Sequence, residues 1–180
     1  MDRDALIAHL ATSDKLEWRK SRQRNAAPDA EIVTWTPAAT LVTKAGTPAL
    51  CLGLSSTGRW LCCAQGAETI LDFDSVQNYW CMFSLLEKSP DNAVEVIRSE
   101  LATHGLDEAW IEHIPFQHIV VAALESGSKF WPDLALDWVP YIGSSTQIVT
   151  ALQMLHRHGR TQLQRHRAQK LLAKMRAIGD

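Results

Sequence analysis

The first dozen residues place Leu6, Ile7 and Leu10 on one side of a helical wheel, so a short helix is expected over 2–12. Ser13 or Asp14 then offers an N-cap oxygen. Residues 14–24 (DKLEWRKSRQR) read as a continuation of that helix, with Leu16 and Trp18 as their only apolar side chains. Pro28 and the small residues around it mark a linker. From residue 31 the period changes. EIVTWT, ATLVTK, ALCLGL, RWLCCA and TILDF are short runs of β-branched, aromatic and apolar residues, separated by turn formers at Pro37, 45–48, 55–58 and Gly66. The intervals are too short for crossover helices, so the strands are expected to pair antiparallel as a meander. In 49–54, Leu50, Leu52 and Leu54 share one face, and Ala49, Cys51 and Gly53 share the other. Both faces are largely apolar, which calls for helices over one of them and over part of the second.

After Asp74 the spacing turns helical: Val76, Tyr79, Trp80, Phe83 and Leu86 follow i, i+3, i+4, i+7. Ser89-Pro90 opens the next helix, whose stripe is Val94, Ile97 and Leu101 and which Gly105 stops. A short helix follows Asp107 and ends at Pro115, and apolar residues continue over 116–125. Residues 129–142 carry Phe130, Trp131, Leu134, Trp138 and Tyr141; 145–158 carry Ile148, Val149, Leu152 and Leu155; 161–178 carry Leu163, Ala168, Leu171, Leu172, Met175 and Ile178. Short loops between these last helices predict antiparallel hairpins. The fold class expected is α+β: an N-terminal helix, a small antiparallel β-meander of four to five strands, and C-terminal helical hairpins packed on the sheet. One domain over 1–180 is expected, divided into an N-terminal helical segment (1–27), an antiparallel sheet (30–74) and a helical part (75–180).

Composition agrees with a chain that folds without staples. Hydrophobic residues make up 46% of 180 residues, enough for a sizeable core without disulfides or metal. Seven tryptophans are many for this length, and most are expected to fill that core. The N-terminus has no long apolar stretch and no window approaches the ~18 apolar residues of a membrane span. The expected setting is therefore cytoplasmic, without a membrane partner, with Cys51, Cys62, Cys63 and Cys81 as reduced thiols.

The net charge of −2 conceals an asymmetry. Residues 25–155 hold fifteen acidic and five basic residues, whereas 156–180 hold seven Lys/Arg and only Asp180 as an acid. Residues 1–24 are also slightly basic, through Arg19, Lys20, Arg22 and Arg24 among others. Such a layout bears on partners rather than on fold. Two candidate contact sets follow. Asp72, Asp74, Glu108 and Glu112, in the acidic body, are candidates for docking on a basic protein. Arg160, Arg167, Lys170 and Lys174 can share a face of the last helix and are candidates for phosphate contacts, the alternative being a solvated face or one packed on the protein's own acidic body. No aromatic follows residue 141, which argues against a stacking platform for single strands.

Catalytic and metal motifs are weak. Cys62-Cys63 is the only close cysteine pair, and adjacent strand residues point to opposite faces, so the two are not expected to share a metal. The thiols read as small buried hydrophobes. Asp72-Phe73-Asp74 has the D-x-D form of a divalent-ion site, but Asp74 or Ser75 precedes a helix and reads better as a cap. Glu112-His113 with His118, and His156-Arg157-His158, do not form convergent ligand sets. No phosphate loop or nucleophile elbow occurs. Phe130, Trp131, Trp138 and Tyr141 read as core, with a partner hot spot as the alternative. No cofactor or metal is expected.

The function expected is a non-enzymatic protein-binding accessory protein: an inhibitor, immunity protein, adaptor or chaperone using an acidic surface against a partner with a basic one. A nucleic-acid-associated protein, and an enzyme without a recognisable motif, are the alternatives. The layout is shared by many small accessory proteins, and in size and charge it is similar to bacterial toxin-neutralising immunity proteins, with no residue to carry over.

Overall fold

The computed structural model describes residues 2–24, 31–42, 48–63, 69–73 and 76–179. It is an α+β fold: helix α1 (Arg3–Thr12), strands β1 (Arg19–Gln23), β2 (Val33–Val42), β3 (Pro48–Ser55), β4 (Trp60–Cys63) and β5 (Thr69–Asp72), and then a helical layer. That layer comprises a 3₁₀ helix η1 (Val76–Glu87), α2 (Pro90–Thr103), a second 3₁₀ helix η2 (Glu108–His113), α3 (Phe116–Glu125), α4 (Trp131–Ile142), α5 (Thr146–His158) and α6 (Gln162–Gly179). The expected meander is present, with β1 to β5 adjacent in chain order. No helix among the described residues is long and apolar enough to cross a membrane.

Three local readings need correction. Residues 19–23, read as helix within a 1–27 helical segment, are the edge that closes the sheet. β1 pairs antiparallel with β2 and parallel with β5, making a five-stranded closed barrel. The segment RKSRQ has no apolar period of either kind, so its own pattern could not disclose this; its neighbours supply the pairing. Pro37, read as a turn between two strands, lies inside the single strand β2 opposite Gly53, next to a register shift between Pro37 and Ala39. A bulge is where a strand tolerates a residue without an N–H. Finally, 76–87 is a 12-residue 3₁₀ helix rather than an α-helix. Its three-residue period aligns Tyr79, Met82 and Leu85 on one ridge and Phe83 and Leu86 on the next, all buried, and leaves Asn78, Cys81, Ser84 and Glu87 half-buried on the third.

Barrel closure separates two cores. Inside are Trp35, Cys51, Leu61, Cys63 and Ile70, with Val33 against them. Outside, Leu50, Leu52, Leu54, Cys62 and Leu71 join a larger core that runs from Leu6 and Leu10 of α1 to Leu172 of α6. Both faces of β3 are thus buried, which is why its sequence is apolar on both. α2 packs along β2, where the Thr40 amide donates to Glu100 Oε2 at 3.0 Å. α1 is fastened over the 55–59 turn: Arg3 donates to the Gly58 carbonyl at 3.4 Å. Gly58 takes φ +71, and a Cβ there would meet Ile7 and Trp110 at under 3 Å. Two indole N–H groups fix the packing: Trp60 of β4 donates to the Trp110 carbonyl of η2 at 3.1 Å, joining sheet to helices, and within the helical layer Trp138 donates to the Lys88 carbonyl at 3.0 Å.

The interior has little spare room. A Cβ on Gly53 would lie 2.4 Å from the Trp35 ring and 2.9 Å from the Thr36 carbonyl. Gly53→Ala is expected to displace Trp35 and cost about 1–3 kcal/mol, read from the urea midpoint. An unchanged midpoint would mean that the barrel interior is not the tight constraint it is taken for.

Candidate functional site

The acidic candidates do not form one surface. Asp72 lies opposite Leu61 and turns toward the mouth of the barrel. It accepts the Gln23 side-chain amide across the β1–β5 seam, and the Asn78 amide reaches both its backbone carbonyl (2.9 Å) and its carboxylate (3.4 Å). Its carboxylate therefore serves closure. The mouth holds a cavity of about 350 Å³ with Val33, Leu61 and Ile70 beneath and Ser55, Arg59 and Asp72 among its polar lining. Asp74 lies outside the described residues.

Glu108 and Glu112 stand exposed on η2, whose first turn is capped by Asp107 accepting the Ala109 amide at 2.8 Å. η2 packs against α2. Between them Arg98 donates to Glu108 Oε2 at 2.8 Å and also to Glu95, with both carboxylates largely exposed. Glu95 first and Glu108 second raise the Arg98 guanidinium above its ordinary value. Arg98 thus bridges Glu95 and Glu108, with Asp91 exposed one turn before Glu95 on α2 and Glu112 exposed further along η2. The sequence reading missed Asp91 and Glu95, although their i, i+4 spacing was a usable signal.

The basic candidates also divide. Arg167 spends its guanidinium on α4: it donates to the Asp133 carbonyl at 3.0 Å, lies 3.6 Å from the Asp133 carboxylate and pairs with Asp137. Gln164, fully buried and not singled out in the sequence, seats the same helix by donating to the Lys129 carbonyl at 2.9 Å and to Asp133 at 3.2 Å. Arg160, Lys170 and Lys174 are exposed and have no ion-pair partner among the described residues. Residues 138–179 contain no Asp or Glu at all. At the other end of the chain Arg19 and Lys20 pair with β2, and Arg22 and Arg24 bond to β5, so the backbone of this basic stretch is part of the barrel wall.

Cys62 and Cys63 point to opposite sides of the sheet as expected, one to each core. Among the described residues, no group of three or more His, Cys, Asp or Glu could hold a metal. His113 packs edge-on against Trp110 and His118 stacks on Tyr79. Of the aromatic group, Trp138 is fully buried, while Phe130 (52%) and Tyr141 (47%) are exposed. Trp80, which the α-helical spacing assigned to the core, is 57% exposed.

Arg167 and its neighbours can be told apart by stability. Arg167→Ala leaves the half-buried Asp133 without its cation and is expected to cost about 1–2 kcal/mol. Lys170→Ala and Lys174→Ala should stay within about 0.5 kcal/mol. Thermal unfolding of the three variants checks the difference, and equal losses would contradict it. Compared with known proteins, this chain matches no family model, no curated protein and no solved structure.

Proposed function

We propose that this protein is a non-enzymatic protein-binding accessory protein, of the inhibitor, immunity-protein, adaptor or chaperone kind, that docks its α2–η2 face on a basic surface of a partner. The observation that carries the reading is the exposed carboxylates Asp91 and Glu95 of α2 and Glu108 and Glu112 of η2, with Arg98 bridging Glu95 to Glu108. Carboxylates so placed keep their hydration until a complementary surface replaces it. They speed encounter and reject like-charged partners more than they add raw affinity. Exposed Trp80, Phe130 and Tyr141 offer the aromatic residue types that anchor interfaces.

The test is a native pull-down with cross-linking mass spectrometry on the full chain. The expected result is a partner cross-linked at α2 or η2 that Glu108→Lys/Glu112→Lys weakens by about tenfold or more, while Lys170→Glu/Lys174→Glu retains it. A partner held equally by both double variants, or none recovered, would sink the reading.

A second reading rests on a different observation, the unpaired Arg160, Lys170 and Lys174 on a hairpin without acids. These side chains are free to neutralise phosphates of a duplex. Fluorescence anisotropy with duplex DNA or RNA across a salt series should then show affinity falling with salt, and Lys170→Ala/Lys174→Ala should flatten the log–log slope by about 2. Absence of binding at low salt removes this reading.

A further inference from the structure

The four thiols are not scattered. Cys51 on β3 and Cys63 on β4 are direct cross-strand partners and both belong to the small core inside the barrel. Directly opposed antiparallel residues have Cα atoms about 4.5–5.5 Å apart, within the roughly 4.4–6.8 Å that a disulfide spans. Both are buried in that core, Cys51 at 9% and Cys63 at 6% exposure. Cys62, by contrast, is fully buried on the outer side of the sheet, against Cys81 of η1.

The inner pair is also unsymmetrical. The neighbouring Cys51 thiol holds the Cys63 thiol below its ordinary value, and Arg19 adds to this against the effect of burial, while the Cys51 S–H donates to the Leu52 carbonyl at 3.6 Å. Arg19 is fixed at that end of the barrel, opposite Trp35 in the β1–β2 ladder and over its ring at 5.7 Å. Cys51 is pushed the other way, by its bond to Cys63 first and by burial next, with Glu100 adding to the rise. The two outer groups differ: the hydrogen bond to Cys81 and burial both push the Cys62 thiol up, and the Cys81 thiol donates to the Asn78 carbonyl at 2.9 Å. A nucleophilic thiol beside a thiol that can resolve it is the arrangement found at oxidation-sensitive sites.

We propose that Cys51 and Cys63 are a modification site: a dithiol that hydrogen peroxide converts to a cross-strand disulfide inside the barrel, with Cys63 reacting first and Cys51 resolving. In the first step the Cys63 sulfur attacks one peroxide oxygen. The O–O bond breaks, an S–O bond forms, and the departing hydroxide takes a proton to become water. In the second, the Cys51 sulfur attacks the Cys63 sulfur. The S–S bond forms as the S–O bond breaks, and the hydroxide leaves with the Cys51 proton as water. Each peroxide is thus reduced to two waters while two thiols become one disulfide. Arg19 holds the negative sulfur in the first step, and the strand register brings the second sulfur to it without backbone rearrangement.

The chain offers a clean readout. Trypsin cuts at Arg59, so Cys51 falls in peptide 45–59 while Cys62, Cys63 and Cys81 all fall in 60–88. The folded full-length protein is treated with hydrogen peroxide, alkylated in denaturant and digested. The expected product is a crosslink between the two peptides that persists in Cys62→Ala and is lost in Cys63→Ala. In Cys51→Ser, which keeps a hydrogen-bond donor beside Cys63 but removes the resolving thiol, dimedone should trap a sulfenic acid on Cys63. A disulfide confined to peptide 60–88, dimedone on Cys51 in Cys63→Ser in place of Cys63 in Cys51→Ser, or full alkylation of both residues in wild-type protein at peroxide levels that oxidise a free cysteine peptide, would overturn the proposal. If a variant fails to fold, fragmentation of the crosslinked wild-type peptides between residues 62 and 63 and between 63 and 81 identifies the cysteine joined to Cys51.

Discussion

The fold depends on a short parallel seam. An antiparallel meander of five strands ends with its first and last strands running the same way, so it can become a barrel only by pairing them in parallel. Here that seam is two residue pairs long, Arg22 with Thr69 and Gln23 with Ile70, extended by the Arg24 amide on the Ile70 carbonyl at 2.8 Å. A side chain reinforces it, Gln23 donating to Asp72 across the seam, while on the other edge of β1 Ser21 accepts the Trp35 indole N–H from β2 at 3.0 Å. Closure removes the two free edges that an open sheet would present. It also gives the sheet an inside, without which Trp35, Leu61 and Ile70 would be an exposed apolar face.

Once an inside exists, the outside is available for helices. The apolar outer residues of β3 and β4 meet α1, η1 and the helical layer in one continuous core. Two polar groups are matched across this contact, the Trp60 indole with the Trp110 carbonyl and the Glu100 carboxylate with the Thr40 amide. Such matching matters because a buried N–H left without a partner costs on the order of 1–3 kcal/mol. The layers are therefore joined by directional bonds as well as by area.

Charge is segregated on this scaffold. α2 and η2 present carboxylates, and the α5–α6 hairpin presents cations, with Arg167 spent internally on α4. The element that bears the exposed lysines is thus held on α4 by Arg167, while its Arg165 donates to the Gly159 carbonyl at 2.6 Å. Opposite fields on separate faces suit selective macromolecular contact, which is the physical ground for the proposed binding role.

Hydrophobic spacing along the chain determined the α+β class, the meander order and the helical stripes, because these rest on local period and turn chemistry. The opposite orientation of Cys62 and Cys63 was likewise legible from the two-residue period of a strand. Tertiary structure alone decided the rest. RKSRQ has no apolar pattern, and it becomes a strand only because β2 and β5 offer their edges. Asp72 and Arg167 look like free charges in sequence, yet each is claimed by a residue at least 30 positions away, Gln23 and Asp137. The pairing of Cys51 with Cys63 required the β3–β4 register. Long-range pairing has no signature in local period, so the chain alone could name these residues but not say which of them remain available.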